Sequence, residues 1–259
     1  MNLELAIECA ALCSLAYHAQ PNRLTKKQIT KMGYTDIRFF DKNGTQCFMA
    51  RKENRIVVSI RGTEITEKQD VTYDGMFWPT QGQKQGVVHS GFALATDQIW
   101  DEVNKELDLL VSKYDELKYD DSKYDEALKV IFTGHSLGGA IAVVCAARSK
   151  YVAEVYTFGQ PRVGNRSFTK NVQSRLYRIV NENDIVPRVP PGPLYRHQGQ
   201  EYHLFGNKMI KSRGSLHSYW LWWVAAGRKI IKFRFFRSLI EDHNVAKYYQ
   251  SLLSIKKDQ

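Results

Sequence analysis

The spacing of apolar residues changes several times along the chain, and each change marks an element. Over residues 3–17, Leu5, Ile7, Cys9, Leu12, Cys13 and Ala16 recur at helical spacing, which predicts an amphipathic helix ended by Pro21-Asn22. Residues 26–32 read as a short polar helix or turn. Ile37-Arg-Phe-Phe40 and Gln46-Cys-Phe-Met-Ala-Arg51 are strands joined by Asn43-Gly44, a dipeptide suited to a tight hairpin. Arg55-Ile-Val-Val-Ser-Ile-Arg61 is apolar and β-branched and predicts a central strand. Over residues 62–88 the pattern breaks into polar, Gly-rich sequence around an island of Tyr73, Met76, Phe77, Trp78 and Pro79. A stretch this long without a period is expected to be a functional or mobile loop. Residues 92–113 return to helical spacing through Ile99, Val103, Leu107 and Leu110. Lys-Tyr-Asp then recurs from Lys113, Lys118 and Lys123. A five-residue period builds no face, so a solvated helix end and loop is expected there.

The second half alternates more regularly. Val130-Ile-Phe-Thr133 is a buried strand that stops at Gly134-His-Ser-Leu-Gly138, with a helix-compatible run over 139–150. Strands follow at 154–159 and 176–181, with a short helix near 166–174. A hairpin around Gly206-Asn207 joins 200–205 to 208–211, and two helices, about 216–239 and 245–254, close the chain. Alternating strands and helices predict a three-layer α/β sandwich with a mostly parallel sheet, in one domain spanning 1–259.

Composition fits that picture. With 259 residues, 43% of them hydrophobic, the chain can bury a large core. The net charge of +10 rises toward the C-terminus without any nucleic-acid motif, so an anionic membrane surface is favoured over nucleic acid. Cys9 and Cys13 lie one helical turn apart and Cys145 in an apolar run; with Cys47 they read as buried thiols, not a disulfide framework or metal site. No apolar run is long enough to span a bilayer. Residues 1–18 lack a basic start and carry Glu4 and Glu8, unlike a signal peptide. The expectation is a cytoplasmic protein, one exported without such a signal, or one whose leader has been removed.

The chemistry centres on Gly134-His-Ser-Leu-Gly138, a G-x-S-x-G between a strand and a helix. In that setting a tight turn lifts Ser136 above the sheet edge, and the helix N-terminus aims N–H groups at developing negative charge. A serine hydroxyl needs a base, and the base needs an acid that holds its tautomer. The acid should lie just past a later strand, where Asp184 fits best and Glu182 is its rival. The base must follow the acid. His243, in a polar break between helices, fits best; His197, His203 and His217 also qualify by order. His135 should point away from the reaction and pack. One oxyanion donor is the N–H of Leu137, and Thr63, after the central strand, can supply a second with its N–H and hydroxyl.

These segments resemble the class 3 lipases, the family of the fungal triacylglycerol lipases. The matching stretches are Ser59-Ile-Arg-Gly-Thr63, Val88-His-Ser-Gly-Phe92, Thr133-Gly-His-Ser-Leu-Gly-Gly-Ala140, Thr157-Phe-Gly-Gln-Pro-Arg-Val-Gly-Asn165, Asn181-Glu-Asn-Asp-Ile-Val-Pro187 and Asp242-His-Asn-Val-Ala-Lys-Tyr248. The resemblance implies an α/β-hydrolase fold, a triad of Ser136, Asp184 and His243, an oxyanion hole of Thr63 and Leu137, and a structural role for His89. It implies a short lid over about 64–85, in which Val71 and Gly75 stand where larger apolar residues are common. It implies acylglycerol or other ester substrates and neither metal nor organic cofactor. Phospholipase A1 or feruloyl esterase activity is the alternative within the class, and an inactive lipid-binding protein the alternative outside it. The Lys-Tyr-Asp segment and a C-terminal insertion depart from the family, and no fungal disulfide framework is evident.

That insertion places Trp220, Trp222 and Trp223 ahead of Arg228, Lys229, Lys232, Arg234 and Arg237. Such a mixture suits a lipid–water interface. It equally suits a helix packed on the sheet with its cations reaching to solvent.

Overall fold

A computed structural model describes residues 1–18, 23–62, 79–82, 86–120, 127–192, 194–231 and 241–258. The chain begins with α1 (Leu3–Ala16) and α2 (Arg23–Lys31), then an antiparallel run of β1 (Thr35–Lys42), β2 (Thr45–Lys52) and β3 (Arg55–Ile60). A separate two-stranded sheet of β4 (Pro79–Gly82) and β5 (Gly86–His89) leads into α3 (Ser90–Asp120). Then come β6 (Lys129–His135), α4 (Leu137–Arg148), β7 (Ala153–Phe158), α5 (Arg166–Asn171), β8 (Arg175–Asn181), β9 (Gln200–Phe205) and β10 (Lys208–Lys211). The described C-terminal helices are α6 (Ser215–Ile231) and α7 (Val245–Lys257).

The main sheet has eight strands in the order β1-β2-β3-β6-β7-β8-β9-β10. Pairing is parallel from β3 through β9 and antiparallel at both edges. The apolar, β-branched character of β3 and β6 follows from burial on both faces. Ile56, Val58, Ile60, Val130 and Phe132 pack toward α3 and α4. Their neighbours Val57 and Ile131 pack toward α1 and α7, with Leu12, Tyr248 and Leu252. These are the three layers that the pattern predicts. All four cysteine thiols are free and buried.

Two features differ from the sequence expectation. The β4–β5 hairpin lies in a stretch read as irregular, because Pro79-Thr-Gln-Gly82 has no apolar alternation to announce it. β5 is held by backbone bonds to the segment after β7: His89 N–H donates to the Val163 carbonyl, and Asn165 N–H to that of Val87. Second, α3 continues to Asp120, so the first two Lys-Tyr-Asp units are helical. Tyr114 is buried, and the Lys113 ammonium lies 2.7 Å from Asp36. The first unit therefore anchors the helix; its tyrosine happens to continue the apolar face. The third unit lies outside the described residues.

Candidate active site

β6 ends beside β3, with Ile60 paired to Gly134, and the chain turns directly into α4. Ser136 sits at the turn with φ 55° and ψ −129°, a left-handed conformation for a non-glycine residue. Such backbone strain costs on the order of 1–3 kcal/mol and persists only where the surroundings enforce it. Here they do. The Ser136 N–H donates to the Phe158 carbonyl at 2.9 Å. A Cβ on Gly134 would strike the Gly138 backbone, and one on Gly138 would strike the Ile60 carbonyl. Leu137 opens α4, so its N–H belongs to the helix-terminal donors that lack an intrahelical acceptor. The loop after β3 lies against the elbow: a Cβ on Gly62 would come within 3.3 Å of Ser136 Cβ. Thr63, the next residue, lies outside the described residues, as does the expected lid over 64–85 apart from the backbone of β4.

Asp184 follows β8 and is fully buried. Its Oδ1 accepts the Val186 N–H at 2.8 Å. Its Oδ2 accepts from His243 Nδ1 at 2.7 Å and from the Tyr248 hydroxyl at 2.5 Å. His243 precedes α7, whose first turn is capped by the Asn244 side chain. With Nδ1–H committed to Asp184, Nε2 carries a lone pair, the form a general base needs. Nε2 is buried and has no hydrogen-bond partner among the described residues. Gly159, at φ +59°, clears the space for this pair: a Cβ there would lie 2.8 Å from Asp184 Oδ2 and 2.8 Å from His243 Nδ1. Because Ser136 is bonded to the residue before Gly159, serine, imidazole and carboxylate converge on the end of β7.

The rival residues are engaged elsewhere. His197 Nε2 bonds the Pro187 carbonyl and His203 Nε2 the Glu182 carbonyl, each at 2.6 Å. His217 accepts the Arg213 N–H at 2.9 Å and stacks on Trp220. Glu182 accepts the Gly206 N–H at 2.8 Å. His89 accepts the Gly91 N–H and stacks on Phe92, a structural position.

His135 does more than pack. Its Nε2 lies 2.6 Å from the His243 carbonyl, which can only accept, so Nε2 carries the proton. Nδ1 then accepts the Tyr17 hydroxyl at 2.6 Å. Burial pushes the His135 pKa well below the usual histidine range, with the neighbouring His243 adding to it. A neutral imidazole thus ties α1 to the backbone of the candidate base. Tyr17 and Tyr248 were not legible as site residues, because their roles depend on helices packing under the sheet edge. Asp242 belongs to the same set: its carbonyl accepts from Asn181 Nδ2 at 3.1 Å.

The C-terminal tryptophans divide. Trp222 does not belong to an exposed aromatic surface: it is only 8% exposed, and its indole N–H donates to the Asn183 carbonyl at 3.1 Å, beside Asp184. Helical geometry turns Trp222 inward and leaves Leu216, Tyr219, Trp220 and Trp223 exposed at i, i+3, i+4 and i+7. The side chains of Arg228 and Lys229, and residues 232–240 altogether, lie outside the described residues.

The parallel sheet, the tight strand–helix turn at Ser136 and the Asp184–His243 pair are those of an α/β-hydrolase fold. The family model for Lipase (class 3) matches residues 57–193, and the chain belongs to that family. It is 37% identical over 170 residues to the secreted mono- and diacylglycerol lipase 1 of Fusarium solani, covering 62% of this chain and 47% of that one. It is 35% identical over 180 residues to a lipase of Rhizomucor miehei, covering 63% and 46%. The chain thus spans about half the length of these curated relatives. Among solved structures, the lipase of Rhizopus microsporus var. chinensis superposes with a TM-score of 0.62 at 29% identity, covering 78% of this chain and 74% of that one.

Gly159→Ala tests the convergence. The added methyl must displace the imidazole or the carboxylate, and displacements near 1 Å can cost about 10² in rate. Ester turnover by the purified variant is expected to fall at least about 10²-fold while its far-ultraviolet circular dichroism stays native.

Proposed function

We propose that this protein hydrolyses carboxylic esters of the acylglycerol class through an acyl-enzyme on Ser136. The observation that carries the reading is the buried His243, bonded through Nδ1 to Asp184, with an Nε2 that has no hydrogen-bond partner among the described residues, on the same strand end as the Ser136 elbow. Family membership and the names of the relatives support the substrate class. In the proposed cycle, His243 takes the Ser136 proton as Oγ attacks the ester carbonyl. Asp184 steadies the imidazolium, and Tyr248 and the Val186 N–H hold Asp184 in turn. The oxyanion rests on the Leu137 N–H and on Thr63. His243 then returns the proton to the leaving alcohol, and water activated by the same imidazole releases the acid.

The exposed stripe of Leu216, Tyr219, Trp220 and Trp223 supports contact with a lipid–water interface. It is apolar and aromatic, and it lies on the helix that sends Trp222 to the acid loop.

On a chromogenic acyl ester, Ser136→Ala is expected to lose about 10⁴–10⁶ of kcat, as when a triad nucleophile is removed. Equal rates for the two proteins would remove the Ser136 hydrolase and leave the inactive lipid-binding reading as the alternative. For the interface, Trp220→Ala/Trp223→Ala should weaken sedimentation with phosphatidylcholine vesicles and leave hydrolysis of a short soluble ester intact. Unchanged vesicle binding would remove the stripe from the account.

A further inference from the structure

On the far side of the acid loop, β8, β9 and the start of α6 enclose a cleft of about 1170 Å³. Among the described residues, six cationic side chains line it, Arg162, Arg178, Arg188, Arg196, Lys211 and Arg213, against one carboxylate, Glu201. Neither Ser136 nor His243 reaches it. Arg162 and Arg178 are 6% and 7% exposed, so two guanidiniums are held almost wholly out of bulk water.

Their partners are mostly neutral. Arg162 donates to the carbonyls of Arg188 and Pro190 and to the Tyr219 hydroxyl. Arg188 donates to the Ser218 hydroxyl and carbonyl and stacks its guanidinium over the Tyr219 ring. Only Arg178 is ion-paired among these three in the described residues, 3.2 Å from Glu201. Three buried polar atoms on lining residues have no hydrogen-bond partner among the described residues: Arg188 Nε, a donor, His197 Nδ1, and the carboxylate oxygen Glu201 Oε1. His197 Nε2 is committed as donor to the Pro187 carbonyl, so Nδ1 is an acceptor. Burial lowers the Arg178 and Arg188 pKa values, and the neighbouring arginines add to this against the pull of Glu201. Among the described residues, a cleft that gathers these guanidiniums around the single lining carboxylate Glu201, with Asp184 acting on Arg188 from the loop behind, leaves positive potential uncompensated.

We propose that this cleft binds a phosphate group. A tetrahedral phosphate can take several charge-assisted N–H donors at once, as planar guanidinium forks require. Its protonated oxygen can donate to His197 Nδ1, which no carboxylate anion could satisfy. The exposed Arg196, Lys211 and Arg213 at the mouth draw the anion in. The phosphate can come free in solution or as a lipid headgroup. The second source gains from α6, since Tyr219 faces the cleft from the helix that carries the exposed stripe.

The inference is independent of the role of Ser136, so the Ser136→Ala chain serves as well as the natural one. Calorimetric titration with inorganic phosphate at constant ionic strength, against sodium chloride, should show saturable binding to one site. Lys211→Gln/Arg213→Gln changes only exposed side chains, and Arg188→Gln removes the orphaned donor. Each is expected to weaken binding at least about tenfold, the worth of one charge-assisted bond. Melting temperature in chloride reports whether each variant is folded. Co-sedimentation with vesicles of phosphatidic acid or of phosphatidylcholine separates the sources. A headgroup site binds the phosphatidic acid vesicles and loses that excess in the folded variants; a free-phosphate site does not distinguish the vesicles. Absence of saturable phosphate binding together with equal binding to both vesicles overturns the proposal. So does binding that both folded variants retain at full affinity.

Discussion

The site depends on one buried carboxylate. Asp184 has no exposure, and its two oxygens receive the Val186 N–H, His243 Nδ1 and the Tyr248 hydroxyl. Burying a carboxylate is costly unless its lone pairs are met, and three donors from three parts of the chain meet them here. The donors fix the turn after β8, the loop before α7 and the first turns of α7 itself. Gly159 is required because the end of β7 must pass beside this pair without a side chain. The position of His243 over the elbow therefore follows from satisfying Asp184, with His135 adding a second tie through the His243 carbonyl.

Much of this was legible in the sequence. The β-branched runs that became β3 and β6 announced their own burial, and G-x-S-x-G between strand and helix announced the turn at Ser136. Chain order then narrowed the candidate acid and base to a few residues, and Asp184 and His243 are the pair the fold brings together. What stayed hidden depends on contacts between distant segments. No local pattern says that Tyr17 of α1's end will meet His135, or that Tyr248 will meet Asp184. The split between Trp222 and its neighbours was hidden for a related reason. Three tryptophans in a row of four look alike in sequence, and only the docking of α6 on the acid loop decides which turns inward.

α6 links two regions with different chemistry. Its inner side reaches the acid loop through Trp222 and the arginine-lined cleft through Ser218 and Tyr219. Its outer side carries the exposed Leu216, Trp220 and Trp223, with Tyr219 at the edge between the two sides. α6 lies beyond the residues 57–193 that the family model matches, and Trp222 joins it to the loop of Asn183 and Asp184 within them.

The central claim is that His243, oriented by Asp184, activates Ser136. Labelling with an alkyl fluorophosphonate, read by mass spectrometry of tryptic peptides, tests it most directly. The account predicts one adduct, on the peptide that runs from Val130 to Arg148 and contains Ser136. It also predicts that labelling slows by at least about 10³-fold in Asp184→Asn, which leaves the imidazole in the wrong tautomer. An adduct on another residue, or labelling of His243→Ala at the natural rate, would contradict it.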